Sequence, residues 1–158
     1  ISILKQYNKL HQLKYVICGN GPYEPELKKL SKKLDVTDNI IFLGFRSDIA
    51  EICNCSDLFI FMSYREGLPV ALMEAMACGL PAVCSDIRGN TDLIEDQKTG
   101  LIADNTPEAV AKAIETMCLD SNLRRRLSLG ALEKIKQFDL SSIENTMKHI
   151  YIEIAENK

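Results

Sequence analysis

Two carboxylates bracket a short stretch of glycine and proline. Glu66 and Glu74 stand eight positions apart in Ser63-Tyr64-Arg65-Glu66-Gly67-Leu68-Pro69-Val70-Ala71-Leu72-Met73-Glu74-Ala75-Met76-Ala77-Cys78-Gly79. Pro69 suits the first turn of a helix, where its missing N–H bonds nothing. The pattern predicts a helix from about Pro69 to Cys78, ended by Gly79 in a left-handed cap. A glutamate among Val, Ala, Leu, Met and Cys is expensive to bury unless paired. Helical side chains lean toward the N-terminus, so Glu74 is expected to point back to the helix mouth, across from Glu66. The N–H groups of Gly67, Leu68 and Val70 give that mouth a partial positive charge suited to phosphate. A nucleotide sugar presents a diphosphate between two polyols, and this mouth offers amides between two hydroxyl-accepting carboxylates. Singly, Glu66 reads as an exposed loop residue and Glu74 as a paired buried charge; together they read as a site.

A second turn, Gly19-Asn20-Gly21-Pro22, resembles half of a dinucleotide fingerprint. Its third glycine is missing, because position 24 is Glu. Two readings stay open: a tight turn with left-handed residues, or a turn that lets backbone approach a ligand.

The elements that must position these residues alternate along the chain. Strands are expected near 15–18, 40–43, 57–62, 81–84 and 101–103. Helical spacing covers 2–12 through Ile3, Leu4, Tyr7 and Leu10. A second helix begins at Pro25-Glu26, with Leu27, Leu30 and Leu34 on one face and lysines on the other. Ser47 is expected to cap a short helix carrying Ile49, Ile52 and Cys53. A short helical stretch covers Thr91 to Glu95. Three helices close the chain, capped by Thr106-Pro107, by Asp120, and by a Ser141-x-x-Glu144 capping box. Continuous apolar strands separated by helices mean a doubly wound, Rossmann-like parallel sheet covered on both faces. Ligands then sit at the carboxyl ends of the strands, in the loops 19–22, 44–48, 63–69 and 86–90.

The 158 residues carry net charge −3, 46% hydrophobic and 26% charged residues. That describes one folded α/β domain and excludes wholesale disorder. With no basic block, nucleic acid is not an expected partner, and no apolar run spans a membrane. The six cysteines suit buried free thiols, with Cys18 and Cys84 in strands and Cys78 in a helix. Cys53-Asn54-Cys55 is too close, and lacks the second ligand pair, for zinc. His11 and His149 read as surface or packing residues. The opening Ile1-Ser2-Ile3-Leu4 shows no signal-peptide pattern and reads as a cut inside a longer protein.

The run Glu66 to Glu74 resembles the E-x7-E signature of group 1 retaining glycosyltransferases, of glycosyltransferase family 4 type, in the C-terminal half of their GT-B fold. The resemblance extends through Gly19-Asn20-Gly21-Pro22, Leu43-Gly44-Phe45, Ser63, Glu74-Ala75-Met76-Ala77-Cys78-Gly79-Leu80-Pro81 and Lys98-Thr99-Gly100-Leu101. It implies a nucleotide-sugar donor domain over 1–158, with Glu66 on hydroxyls of the transferred sugar and Glu74 on the ribose. It implies that Gly67, Leu68, Pro69 and Val70 border the sugar and diphosphate. The base is expected near Gly19, Asn20, Gly21, Phe45 and Arg46. No cofactor is implied and, with no Asp-x-Asp present, no metal. The acceptor would be a glycan or lipid-linked sugar of surface polysaccharide or glycolipid synthesis, reached through an N-terminal domain contacted by the helix at 140–158. The implied setting is cytoplasmic, peripheral to the inner membrane face. The family's Gly-Arg-Leu…Lys-Gly strand is not matched, so a fragment without turnover is expected. Its sheet should show a gap between 15–18 and 57–62 rather than repaired pairing. Ile143, Met147, Ile150 and Ile154 form an apolar stripe expected to be partly exposed and to favour self-association. The other classes weighed are a non-catalytic nucleotide-sugar-binding module and a sugar-nucleotide epimerase of related architecture.

Overall fold

The computed structural model describes residues 1–6 and 13–156. Five strands form at the expected places: β1 (Tyr15–Cys18), β2 (Ile40–Gly44), β3 (Phe59–Phe61), β4 (Ala82–Ser85) and β5 (Leu101–Ala103). The helices are α1 (Ser2–Gln6), α2 (Glu24–Lys33), α3 (Ile49–Asn54), α4 (Val70–Ala77), α5 (Asn90–Leu93), α6 (Pro107–Leu119), α7 (Ser121–Ile135) and α8 (Leu140–Glu156). Every strand pair is parallel, so the fold is the doubly wound α/β class. Of the helix expected over 2–12, Tyr7, Leu10 and His11 lie outside the described residues; His149 is exposed on α8.

The core is organised around β4, whose four residues are all buried. Successive strand residues point to opposite faces. Ala82 and Cys84 therefore join Leu72 and Met76 of α4, Leu93 of α5 and Ala131 of α7. Val83 points the other way, onto Met117 of α6 and Leu127 of α7. Burial of a side chain such as Met76 or Leu72 contributes roughly 1.5–3 kcal/mol. This rigid centre carries the loops that follow β3 and β4.

The pairing falls into two pieces, β1–β2 and β3–β4–β5. No ladder joins β1 to β3 among the described residues. A cleft of about 380 Å³ lies there, lined by Tyr15 on one side and Ile60 and Met62 on the other. The expected gap between 15–18 and 57–62 is thus present. The two-stranded piece is thinly covered: Leu27 and Leu30 of α2, Leu34 at its C-cap, and Ile41 and Leu43 of β2 remain exposed.

Three of the expected helix caps form. Thr106 Oγ1 accepts from Ala109 N at 3.3 Å, and Asp120 Oδ1 from Leu123 N at 2.8 Å. Gly79, at φ 69°, ends α4 with Leu80 N donating to Ala75 O at 2.9 Å. Two caps differ from expectation. Ser47 does not cap α3; the N-cap position belongs to Asp48, whose carboxylate is taken by Arg46 instead. The Ser141–Glu144 box does not form, because α8 begins at Leu140 and Ser141 Oγ donates to Asp139. All six cysteines are free, but only Cys53 and Cys84 are buried. A register shift between Ile17 and Cys18 disturbs the β1 ladder at its end, and Cys18 is exposed there.

Candidate functional site

Glu66 sits half-buried in the 62–69 connection between β3 and α4. Helix α4 starts where the Pro69 signal puts it: Pro69 is the N-cap in extended backbone, and Leu72 N and Met73 N donate to its carbonyl at 3.1 and 3.2 Å. No side chain caps this first turn. The mouth of α4 therefore keeps the amide polarity that favours an anion.

Glu74 is not the paired buried charge that the residue taken by itself suggests. Helix α4 buries Leu72, Ala75 and Met76, which turns Val70, Ala71, Glu74 and Ala77 outward. Glu74 is exposed and needs no partner to offset burial. Its face is unusual in another way: it presents one carboxylate among three apolar residues, with Val70 65% exposed. Such a face suits a ligand with an apolar ring bearing hydroxyls. Burial, first of all, pushes the Cys53 thiol up to about 11.

The loops after β1 and β2 are tied together. Gly19 N donates to Gly44 O at 2.7 Å, with Gly19 at φ 116°. Gly19, Asn20 and Gly21 line a cleft of about 220 Å³ with Tyr23, Leu27 and Phe42. Phe45 stands 79% exposed beyond β2. Arg46 is held by a two-pronged pair with Asp48, Nε donating to Oδ1 at 2.7 Å. That pairing holds the Asp48 carboxyl below its ordinary value and raises the guanidinium. Neither cleft is lined by Glu66 or Glu74.

One group of residues escaped the reading of the sequence. Asn90, wholly buried, donates from Nδ2 to Ser85 O at 3.1 Å and to Ser85 Oγ at 3.0 Å. Ser85 Oγ donates in turn to Ser63 O at 2.6 Å. Asn105 Nδ2 donates to Met62 O at 3.2 Å. The carbonyls at the root of the Glu66 loop are thus held by two side chains from elsewhere in the chain, Ser85 and Asn105, with Asn90 behind Ser85. Asn90 Oδ1 is buried without a partner, a cost of roughly 1–3 kcal/mol. The available signal was a Gly-Asn pair at the entry of a short helix.

Residues 1–134 match the family described as glycosyl transferases, group 1. The chain belongs to this family. Among group 1 relatives, the putative glycosyltransferase EpsD of Bacillus subtilis is 32% identical over 151 residues, 95% of this chain and 39% of that protein. The UDP-Gal:alpha-D-GlcNAc-diphosphoundecaprenol alpha-1,3-galactosyltransferase of Escherichia coli is 29% identical over 147 residues, 91% of this chain and 38% of that one. The crystal structure of Anabaena HepE in complex with UDP and glucose superposes with a TM-score of 0.86 at 23% identity, over 96% of this chain and 44% of HepE. The group 1 chain therefore spans about two fifths of the length of the curated relatives it matches. No helix among the described residues is long and apolar enough to cross a membrane.

Proposed function

We propose that this group 1 domain holds the nucleotide-sugar donor of a glycosyltransferase that retains anomeric configuration. The carrying observation is the mouth of α4: an uncapped first turn, with Glu66 in the connection before it and Glu74 alone on its apolar outer face. Glu74 takes the ribose hydroxyls and Glu66 hydroxyls of the sugar. The amides of Gly67, Leu68 and Val70, beside Pro69, meet the diphosphate. Gly19, Asn20, Gly21, Phe45 and Arg46 border the base.

In the reaction, the bond from the anomeric carbon to the diphosphate oxygen breaks, an acceptor hydroxyl oxygen takes its place, and the hydroxyl proton passes to the departing diphosphate oxygen. The leaving nucleoside diphosphate gains negative charge, which amides and the α4 dipole stabilise without reorganisation. Glu66 orients the sugar and favours positive charge at the anomeric carbon. It is not assigned as a nucleophile. The acceptor is a glycan or lipid-linked sugar, supported by the name of the Escherichia coli relative. Acceptor recognition belongs to a second domain that packs on α8, and the enzyme works at the cytoplasmic membrane face. Turnover is not expected of this domain alone.

Calorimetry with UDP, GDP, UDP-glucose and GDP-mannose tests the reading. Glu74→Ala should weaken nucleoside diphosphate and conjugate alike, about tenfold, a lost charged hydrogen-bond acceptor. Glu66→Ala should weaken only the conjugate. Indifference to both changes would refute the site. The sequence has no Asp-x-Asp clamp, so EDTA should leave affinity unchanged; a strict divalent requirement would contradict amide-based binding.

A further inference from the structure

We propose that Asn90 is a positioning residue for Glu66, acting through the Ser85 hydroxyl and the Ser63 carbonyl. The inference rests on the reading of Glu66 as the carboxylate that faces the donor sugar. It is motivated by how little the Glu66 loop holds itself. Residues 62–69 form no helix, strand or hydrogen-bonded turn. The shape of the loop must then come from what presses and pulls on it from outside.

Two contacts do this from the stretch that runs from the end of β4 to the start of α5. The first is a directed relay. Asn90 Nδ2 must be the amide nitrogen, because one of its two partners is the Ser85 carbonyl, which only accepts. Ser85 Oγ, receiving the second Asn90 N–H at 3.0 Å, has a single proton left, and it goes to Ser63 O at 2.6 Å. Each bond polarises the next. Ser63 stands three positions before Glu66. The second contact is made by Gly89, whose backbone lies against the carbonyls of Glu66 and Gly67 so closely that a β-carbon there would stand 3.1 and 2.4 Å from their oxygens. Asn90 follows Gly89 directly and anchors it from the buried side. The relay and the Gly89 contact therefore fix the loop before Glu66 and at Glu66 itself.

Asn90 keeps a cost that a purely structural residue would shed. Its Oδ1 is buried and unpartnered. A leucine of similar shape would leave no such orphan, but would also release the Ser85 hydroxyl. Retaining an amide here serves the relay rather than the core.

The test combines a ligand-free and a ligand readout on the full chain. In Asn90→Leu, backbone NMR order parameters at Tyr64–Gly67 should fall to roughly 0.6 or below while those of α4 and β4 stay at about 0.85, the pattern of local rather than global loosening. Ser85→Ala should reproduce the fall, and Ser85→Thr, which keeps the hydroxyl, should restore wild-type order. In calorimetry with UDP and UDP-glucose, or GDP and GDP-mannose, Asn90→Leu should lose about tenfold in affinity for the conjugate and less than twofold for the diphosphate. Unchanged loop order parameters in both Asn90→Leu and Ser85→Ala overturn the proposal. So does an equal loss for diphosphate and conjugate, the mark of general destabilisation. If Asn90→Leu does not fold, the Ser85→Ala and Ser85→Thr pair decides by the same two readouts. A conjugate affinity indifferent to Glu66→Ala would instead sink the reading of Glu66, and the catalytic purpose of the relay with it.

Discussion

A β-carbon on Gly89 would stand 2.4 Å from the carbonyl oxygen of Gly67. The loop after β4 and the loop after β3 touch backbone to backbone at this point. Gly89 also has φ 92°, a conformation that L side chains rarely adopt. Gly89→Ala must therefore move one loop or the other. Strain at such a position costs roughly 1–3 kcal/mol. The expected result is a lower melting temperature together with weakened binding of UDP-glucose or GDP-mannose. A variant with wild-type melting and wild-type affinity would show that the contact is dispensable.

The fold was legible in the sequence because β4 and its neighbours obey one simple rule. Ala82 and Cys84 face one cluster and Val83 the other, so an unbroken apolar strand means burial on both faces. Caps at Thr106 and Asp120 are local chemistry and appear as read. Ser47 is not a cap because α3 begins one residue later than read, with Asp48 at the N-cap, and Ser141 is not because it lies inside α8 and gives its hydroxyl to Asp139. That Glu74 is exposed rather than buried was not legible, because composition alone does not give the direction of a helix face. The triplet Leu72, Ala75 and Met76 fixes that direction, and it turns Glu74 outward. Asn90 was invisible for a different reason. Its partners, Ser85 and Ser63, meet it only through tertiary contact.

Cys84 gives the domain an alkaline limit. Burial, and secondarily the charges of Asp96 and Asp86, push this thiol up to about 12. An unfolded thiol ionises near 8.5. The folded value is the higher one, so the native state binds the proton more tightly than the unfolded chain does. Its contribution is complete below the unfolded value and is lost as pH rises from about 9 toward 12. Urea midpoints should therefore fall across that window. In Cys84→Ala the baseline should be lower but the fall shallower. Identical slopes in the two proteins would show that Cys84 is not the responsible group.

Helix α8 leaves its apolar stripe uncovered. Ile143, Met147, Ile150 and Ile154 follow helical spacing and are 44–56% exposed. A stripe of this kind drives association when no partner covers it. Sedimentation velocity should show a mass that rises with concentration, and Ile150→Glu should return the protein to monomer without changing its melting temperature. A monomer at every concentration, with the stripe intact, would rule out self-association through α8.

The break between β1 and β3 makes a prediction at single-residue level. Phe59 N donates to Pro81 O at 2.9 Å, and β3 pairs with β4 through Phe59, Ile60 and Phe61 in parallel register. Along a parallel strand the N–H groups point alternately to one neighbour and then to the other. Phe59 and Phe61 therefore direct their N–H groups toward β4, and Ile60 directs its own toward β1. No β1 ladder is there to receive it among the described residues; the space is the cleft lined by Ile60, Met62 and Tyr15. An amide without an acceptor exchanges through small local openings, whereas its ladder-bonded neighbours wait for larger ones. In native-state hydrogen exchange, the Ile60 amide should exchange about a hundredfold faster than those of Phe59 and Phe61, a gap of the size that local and subglobal openings span. Equal protection at all three positions would mean that β3 is paired on both edges in solution and that the break in the sheet is closed there.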